Sequence, residues 1–237
     1  MMPGLLAEAW RLWRQHRAVL LPATAPWLFL PPFALALLVS APPSLPTERD
    51  GDVAQIWAEA FVAWVGAEGY WYLLAHLVAM IGTGCVYALL LRGVAVRSAI
   101  GMAARAVPRL ALASLLTGPV ILLGLSLWLV PGLYAMARLA LVAPALVVER
   151  RGVLAAIGES VRRTQGQGLA LMLGIGLPFL AGWLGGQPFL AIDQWQRAEQ
   201  ANPVVLAIAD LGIGAVAFAA ALAQALVVVV AYRRLPR

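Results

Sequence analysis

The sequence predicts an all-α, polytopic membrane helical bundle, with six transmembrane helices and interfacial amphipathic helices between them. Three observations predict it. The chain of 237 residues is 62% hydrophobic and only 12% charged, with a mean hydropathy of +0.86. Soluble domains carry about 25% charged residues, so the bilayer must be the solvent for most of this surface. The apolar residues gather in six runs, to be set against the ~20 residues a helix needs to cross the hydrocarbon. Fourteen of the seventeen basic residues, all of them arginine, fall in four short stretches between those runs. These stretches hold Arg11, Arg14 and Arg17; Arg92, Arg97, Arg105 and Arg109; Arg150, Arg151, Arg162 and Arg163; and Arg233, Arg234 and Arg237. The other polar stretches are mostly acidic: Glu48, Asp50, Asp52, Glu59 and Glu68, then Asp193 and Glu199. Such alternation keeps basic loops on the cytoplasmic side.

The first run, 18–40, is longer than a cleavable signal and carries four prolines, so it is expected to stay, although Val39-Ser40-Ala41 mimics a cleavage site. The second run is 70–91. Before it, Ile56, Trp57, Ala60, Phe61 and Trp64 share one helical face over 53–66, either as an interfacial helix or as the early turns of a long second span. The third and fourth runs, 110–130 and 133–148, are separated only by Pro131-Gly132. A hairpin is preferred to a re-entrant unit, because Arg109 precedes the pair and Glu149-Arg150-Arg151 follows it. The fifth run, 168–187, contains Gly182 and Gly186, and the sixth, 203–232, a stripe of Gly212, Ala215, Ala219 and Ala223. Small residues at these spacings let helices approach closely, here within one chain, and Gln224 reads as interhelical glue. Six spans place both termini on one side. The expectation is a single integral domain over 1–237, multi-pass in the bacterial inner membrane, with cytoplasmic termini.

Three inner segments share a pattern. Leu5, Leu6, Ala9, Trp10 and Trp13 oppose Glu8, Arg11, Arg14 and Gln15; Val153, Leu154, Ile157 and Val161 oppose Glu159, Arg162 and Arg163; 93–107 does so more weakly, with Arg97 and Arg105. Segments of this kind lie in the headgroup plane with arginine toward phosphate. Arg11, Arg14, Arg97, Arg105, Arg150, Arg151, Arg162 and Arg163 are the candidate lipid-headgroup contacts, and anionic lipids the expected partners. Nucleic acid is excluded, because the basic residues flank apolar spans rather than forming one patch.

Inside the spans, Arg138 is six positions past Gly132, Asp210 seven past Pro203, and His76 six past Tyr70. At ~1.5 Å per residue each lies roughly 9–10 Å inside its span from the outer side. An arginine at mid-membrane costs ~2.5–3.5 kcal/mol on insertion scales, so an Arg138–Asp210 ion pair with His76 nearby is the candidate intramembrane cluster. The alternatives are an interfacial Asp210, an outward-snorkelling Arg138 and a hydrogen-bonded core His76. Prolines at 22, 26, 31, 32, 119, 144 and 178 each remove a backbone donor within a span. With two histidines and one cysteine in the chain, and no HExxH, GxSxG or GxxxxGK[ST] pattern, no metal, no cofactor and no catalytic residue is expected.

The stretch 129–149 holds Pro131-Gly132, Tyr134, Arg138, Ala143-Pro144 and Glu149, and it continues through Gly152, Ser160, Arg162, Thr164 and Gly166. Over 129–169 it resembles the membrane region attached to some bacterial glycerophosphoryl diester phosphodiesterases, and related stand-alone multispan proteins. The resemblance implies architecture and a lipid-associated role. It does not imply phosphodiesterase activity, which resides in a separate soluble barrel domain. The expected function is a non-enzymatic membrane module that engages lipid or scaffolds an unidentified protein partner; the alternative is a small permease or transporter component.

Overall fold

A computed structural model describes residues 4–39, 43, 51–198 and 202–235. Ser40, Ala41, Glu48, Asp50, Glu199 and Arg237 lie outside the described residues, and with them the cleavage-like triplet beyond Val39. Among the described residues there is no strand. The helices are α1 (Leu5–Leu28), α2 (Leu30–Leu38), α3 (Gly51–Arg92), α4 (Val96–Leu127), α5 (Leu129–Leu139) and α6 (Val142–Pro144). A π-helical turn (Ala145–Glu149) follows, then α7 (Val153–Arg163), α8 (Gly168–Ala198) and α9 (Pro203–Arg234). Six stretches are long and apolar enough to cross a membrane: Leu5–Leu38, Gln55–Arg92, Val96–Leu127, Leu129–Glu149, Gly168–Ala198 and Pro203–Arg234.

The spans are longer than their apolar runs, because nothing in the flanking sequence stops a helix. Of the three expected interfacial segments, only α7 is a separate helix. Residues 5–17 and 96–107 are the first turns of α1 and α4, and 53–66 is the start of α3, as one of its two readings had it. Helix propagation adds a hydrogen bond per residue once a nucleus exists, so a polar face alone does not end it. The α1 face divides: Leu5 and Ala9 are buried, with a Cβ on Gly174 of α8 coming within 3.1 Å of the Leu5 side chain, while Leu6 and Trp10 stay exposed. Real breaks sit where the backbone demands them. Gly93 (φ 63°) ends α3 in the left-handed region. At the start of α9, Pro203 occupies the first turn and the Asn202 side chain accepts from Val204 N at 3.0 Å.

The turn between the third and fourth spans is displaced from its expected place. The extended residue is Trp128 (φ −162°, ψ 142°), and Pro131 and Gly132 fall in the first turn of α5. There the missing proline N–H costs no helical hydrogen bond. Gly132 is required for another reason: a Cβ on it would lie 2.4 Å from the Leu125 side chain, and one on Gly124 would lie 2.8 Å from Gly132 Cα. These glycines let α4 and α5 close into a hairpin over a single residue. Antiparallel α8 and α9 use the same device, since a Cβ on Gly182 would meet Ala220 Cβ at 2.4 Å and one on Gly212 would meet the Phe189 ring at 2.3 Å. The glycine and alanine positions therefore serve packing within the chain.

Both ends of the described chain lie together, because Arg234 of α9 donates to Glu8 of α1. The densest core is at this end, where Cys85, Ala88, Ala99, Leu146, Val229 and Val230 are fully buried. On α4 beyond it, Leu115, Leu122, Leu123 and Leu127 stay exposed, an apolar surface that suits lipid contact.

Candidate functional site

The end of the bundle that carries the arginine clusters is also where α3, the fourth span, α7 and α9 terminate. A helix leaves its last four carbonyls without intrahelical donors, and burial makes each of them costly. Four arginines supply those donors. Arg92 donates to Val148 O through Nη2 (2.7 Å) and Nε (3.2 Å). Arg233 donates to Leu90 O. Arg163, only 7% exposed, donates to Tyr232 O (3.1 Å) and Leu235 O (2.9 Å), with its guanidinium carbon 4.5 Å from the Tyr232 ring centre. Arg138 donates to Val161 O (2.7 Å) and to Tyr134 Oη (3.1 Å). Cations at helix C-termini also oppose the negative end of the macrodipole.

Besides Glu8, the glutamates Glu149 and Glu159 at this end are used internally as well. Glu149 accepts from Tyr232 Oη and from Arg151 Nε, and its carboxylate raises the proton affinity of the Arg151 guanidinium. Glu159 accepts from Arg162 (2.5 Å) and lies 3.6 Å from Arg151. Beneath them, buried Ser160 donates to Arg138 O (2.7 Å) and accepts from Leu141 N (3.2 Å). It thereby satisfies the chain where α5 breaks.

What remains is a second group of arginines, which have neither a carboxylate nor a carbonyl to hold among the described residues: Arg11, Arg14, Arg17, Arg97, Arg105 and Arg150, all exposed. Two of these converge with Arg109. Arg105 and Arg109 stand one turn apart on one face of α4. Arg109 Nη1 donates to Arg150 O at 3.2 Å, which brings Arg150 alongside. The three line a cavity of about 160 Å³ whose floor is Met102, Ala106, Leu146 and Val147. Arg150 occupies the left-handed region at φ 55°, a conformation that costs an ordinary residue roughly 1–2 kcal/mol. An electropositive pocket with an apolar floor can take an anionic group joined to an apolar chain.

The eight expected headgroup contacts thus divide. Arg11, Arg14, Arg97, Arg105 and Arg150 are exposed; Arg151 and Arg162 are paired with Glu149 and Glu159; Arg163 is buried and caps α9. Its assignment as a headgroup contact is corrected, because α7 turns Val153, Ala156, Ser160 and Arg163 inward and leaves Leu154 exposed. Apolar periodicity alone selects the wrong face, since small and polar residues pack better at this crowded junction.

The intramembrane cluster is also corrected. Arg138 and Asp210 form no pair. Tyr134, one turn before Arg138, rests against Gly168 at the start of α8. Asp193, which shares Arg197 with Asp210, lies 25 residues further along that helix (168 to 193), about 37 Å at 1.5 Å per residue. Arg197 Nε donates to Asp193 (2.8 Å), its Nη2 donates to Ala36 O (2.6 Å) and lies 3.8 Å from fully buried Asp210, so this arginine ties α2, α8 and α9 together at the far end. His76 is exposed on α3 and makes no hydrogen bond or ion pair among the described residues. Arg109 belongs to a basic cluster and Ser160 to the stretch that carries the resemblance, but nothing in the sequence gives either of them, or Tyr232, its role at this end. The four-residue spacing of Arg109 from Arg105 is the local signal for their shared face.

Six apolar spans closed into one helical bundle define the class: this is a multispanning α-helical membrane protein. No family model, no curated protein and no solved structure matches the chain.

Proposed function

We propose that the protein is a non-enzymatic membrane module that holds anionic lipid headgroups at its arginine-rich end, in a bacterial inner membrane with that end cytoplasmic. The observation that carries this reading is the convergence of Arg105, Arg109 and Arg150 on one pocket, without a carboxylate among its lining residues. The glutamates at this end are taken up by other arginines and Tyr232, so an anion entering the pocket would meet three cations with no competing carboxylate in the lining. A basic residue near an anionic membrane surface contributes roughly 1 kcal/mol. The cytoplasmic orientation follows from the same charge asymmetry, and the lipid-associated role implied by the resemblance of 129–169 agrees with it.

The reading is tested by reconstituting the full chain in equimolar phosphatidylcholine and phosphatidylglycerol, extracting it with mild detergent and analysing the lipid that stays bound. Enrichment of phosphatidylglycerol over the bulk ratio is expected. Bound lipid at the bulk ratio would count against the proposal.

A further inference from the structure

A second cavity lies within the membrane-spanning part of the bundle and has no charge in it. It measures about 360 Å³ and is lined by residues of α3, α4, α5, the α5–α6 break, α8 and α9. Ligand sites between helices typically run ≈ 300–1,000 Å³ and are mostly apolar with a few polar groups that fix orientation. The polar residues here are Thr83, Tyr87, Ser114, Thr117 and Gln224. The two threonines spend their hydroxyls on their own helices, Thr117 on Ala113 O (2.8 Å) and Thr83 on Ala79 O and Met80 O (3.3 and 3.2 Å). Tyr87, Ser114 and Gln224 make no hydrogen bond among the described residues. Tyr87 is 6% exposed, and its hydroxyl is not among the fully enclosed polar atoms that lack a partner, as suits a residue lining the cavity.

The backbone at the same place is irregular. Helix α5 breaks at Ala140 and Leu141, and Ala140, Val142 and Ala143 all line the cavity. Pro144 has no N–H to offer the Ala140 carbonyl four residues back. Broken backbone at membrane depth persists where it is buried in protein or lines a cavity, and π-helical turns such as Ala145–Glu149 recur at functional sites.

We propose that this cavity binds an uncharged amphiphile from the bilayer, a lipid bearing a hydroxyl or carbonyl group. Tyr87, Ser114 and Gln224 hold its polar group, and Leu110, Ile121 and Met136 contact its apolar body. An ionised headgroup is excluded, because nothing in the lining would offset its desolvation. The inference is independent of the arginine surface.

The test uses the full chain in phosphatidylcholine nanodiscs with a diacylglycerol whose acyl chain carries a photoreactive diazirine, and maps the crosslinks by mass spectrometry. Labelling is expected to concentrate on 110–121 and 221–228. It should fall about tenfold in Tyr87→Phe/Gln224→Leu, the change that the loss of ~1.4 kcal/mol of hydrogen bonding gives. Labelling by the matching phosphatidylcholine probe should not change. Tyr87→Phe alone, which removes one oxygen and little volume, serves if the double variant does not fold. Diacylglycerol labelling spread over the lipid-facing Leu122 and Leu123, or unaffected by the substitutions, would overturn the proposal. So would full competition by free glycerol, which would assign the site to a water-borne polyol.

Discussion

Arg109 donates a hydrogen bond from Nη1 to the backbone carbonyl of Arg150 at 3.2 Å. The Arg109 guanidinium is thereby tied to the backbone of a second arginine, with Arg105 one turn away, and nearby Glu149 accepts from Tyr232 and Arg151. This relationship separates folding from function at Arg150. Its backbone is left-handed, where glycine is strain-free, while the residue lines the pocket. Arg150→Gly is expected to keep thermal stability in detergent unchanged or raised, by about 1 kcal/mol at most, while weakening retention of phosphatidylglycerol. Loss of stability together with retention would mean that the side chain supports the fold.

Arg163 belongs to the capping group and should behave in the opposite way. Arg163→Ala leaves the Tyr232 and Leu235 carbonyls without their donor, and hydrogen bonds to charged groups contribute about 1.5–3 kcal/mol. The midpoint of thermal unfolding should fall clearly. Arg163→Lys should rescue it only in part, since lysine lacks the planar fork and stacks poorly on an aromatic ring. Arg11→Ala, on an exposed face, should stay within about 0.5 kcal/mol of the parent.

At the far end, Arg197 holds two carboxylates. Arg197→Ala leaves Asp193 and buried Asp210 facing each other and should destabilise by about 3–5 kcal/mol, the typical cost of breaking a buried ion pair; the 38% exposure of the Arg197 side chain puts the expectation at or below the lower end. Asp210→Asn removes one buried charge and supplies a donor, so it should be neutral or stabilising. Because Arg138 and Asp210 are far apart, the charge-swapped Arg138→Asp/Asp210→Arg protein should be no better expressed than either single variant.

The glycine contacts give a packing prediction. Gly182→Leu forces a side chain into the Ala220 contact of α8 with α9, and overpacking of this kind typically costs 1–3 kcal/mol. Gly186→Leu, where a Cβ would meet nothing within 4 Å, should be tolerated. Parallel unfolding measurements on the two variants check the difference.

Particular residues show what could be read in advance. The span count and the shared end of the termini followed from hydropathy and arginine placement, because both report directly on transfer to lipid. The long reach of α1 and α4 was hidden, because an amphipathic pattern looks the same on an interfacial helix and on a span that packs beside protein. Arg163 and Arg97 look equivalent in the sequence, yet one caps a helix and the other is exposed. That difference depends on where the end of α9 falls relative to α7, a tertiary fact without local signature. The Arg138–Asp210 pairing failed for a related reason. Position within an apolar run does not report which end of the bundle a residue reaches, and the α4–α5 hairpin brings Arg138 next to α7, at the opposite end from Asp210.

The division of arginines into carbonyl caps and an anion pocket is tested most directly by native mass spectrometry of the full chain released from phosphatidylglycerol-containing nanodiscs. The parent protein and Arg105→Gln/Arg109→Gln/Arg150→Gly should be compared at matched activation energy. Three basic contacts at ~1 kcal/mol each correspond to roughly a hundredfold in affinity, so the parent should retain phosphatidylglycerol adducts that the triple variant loses while remaining folded. Equal retention by a folded triple variant would contradict the account.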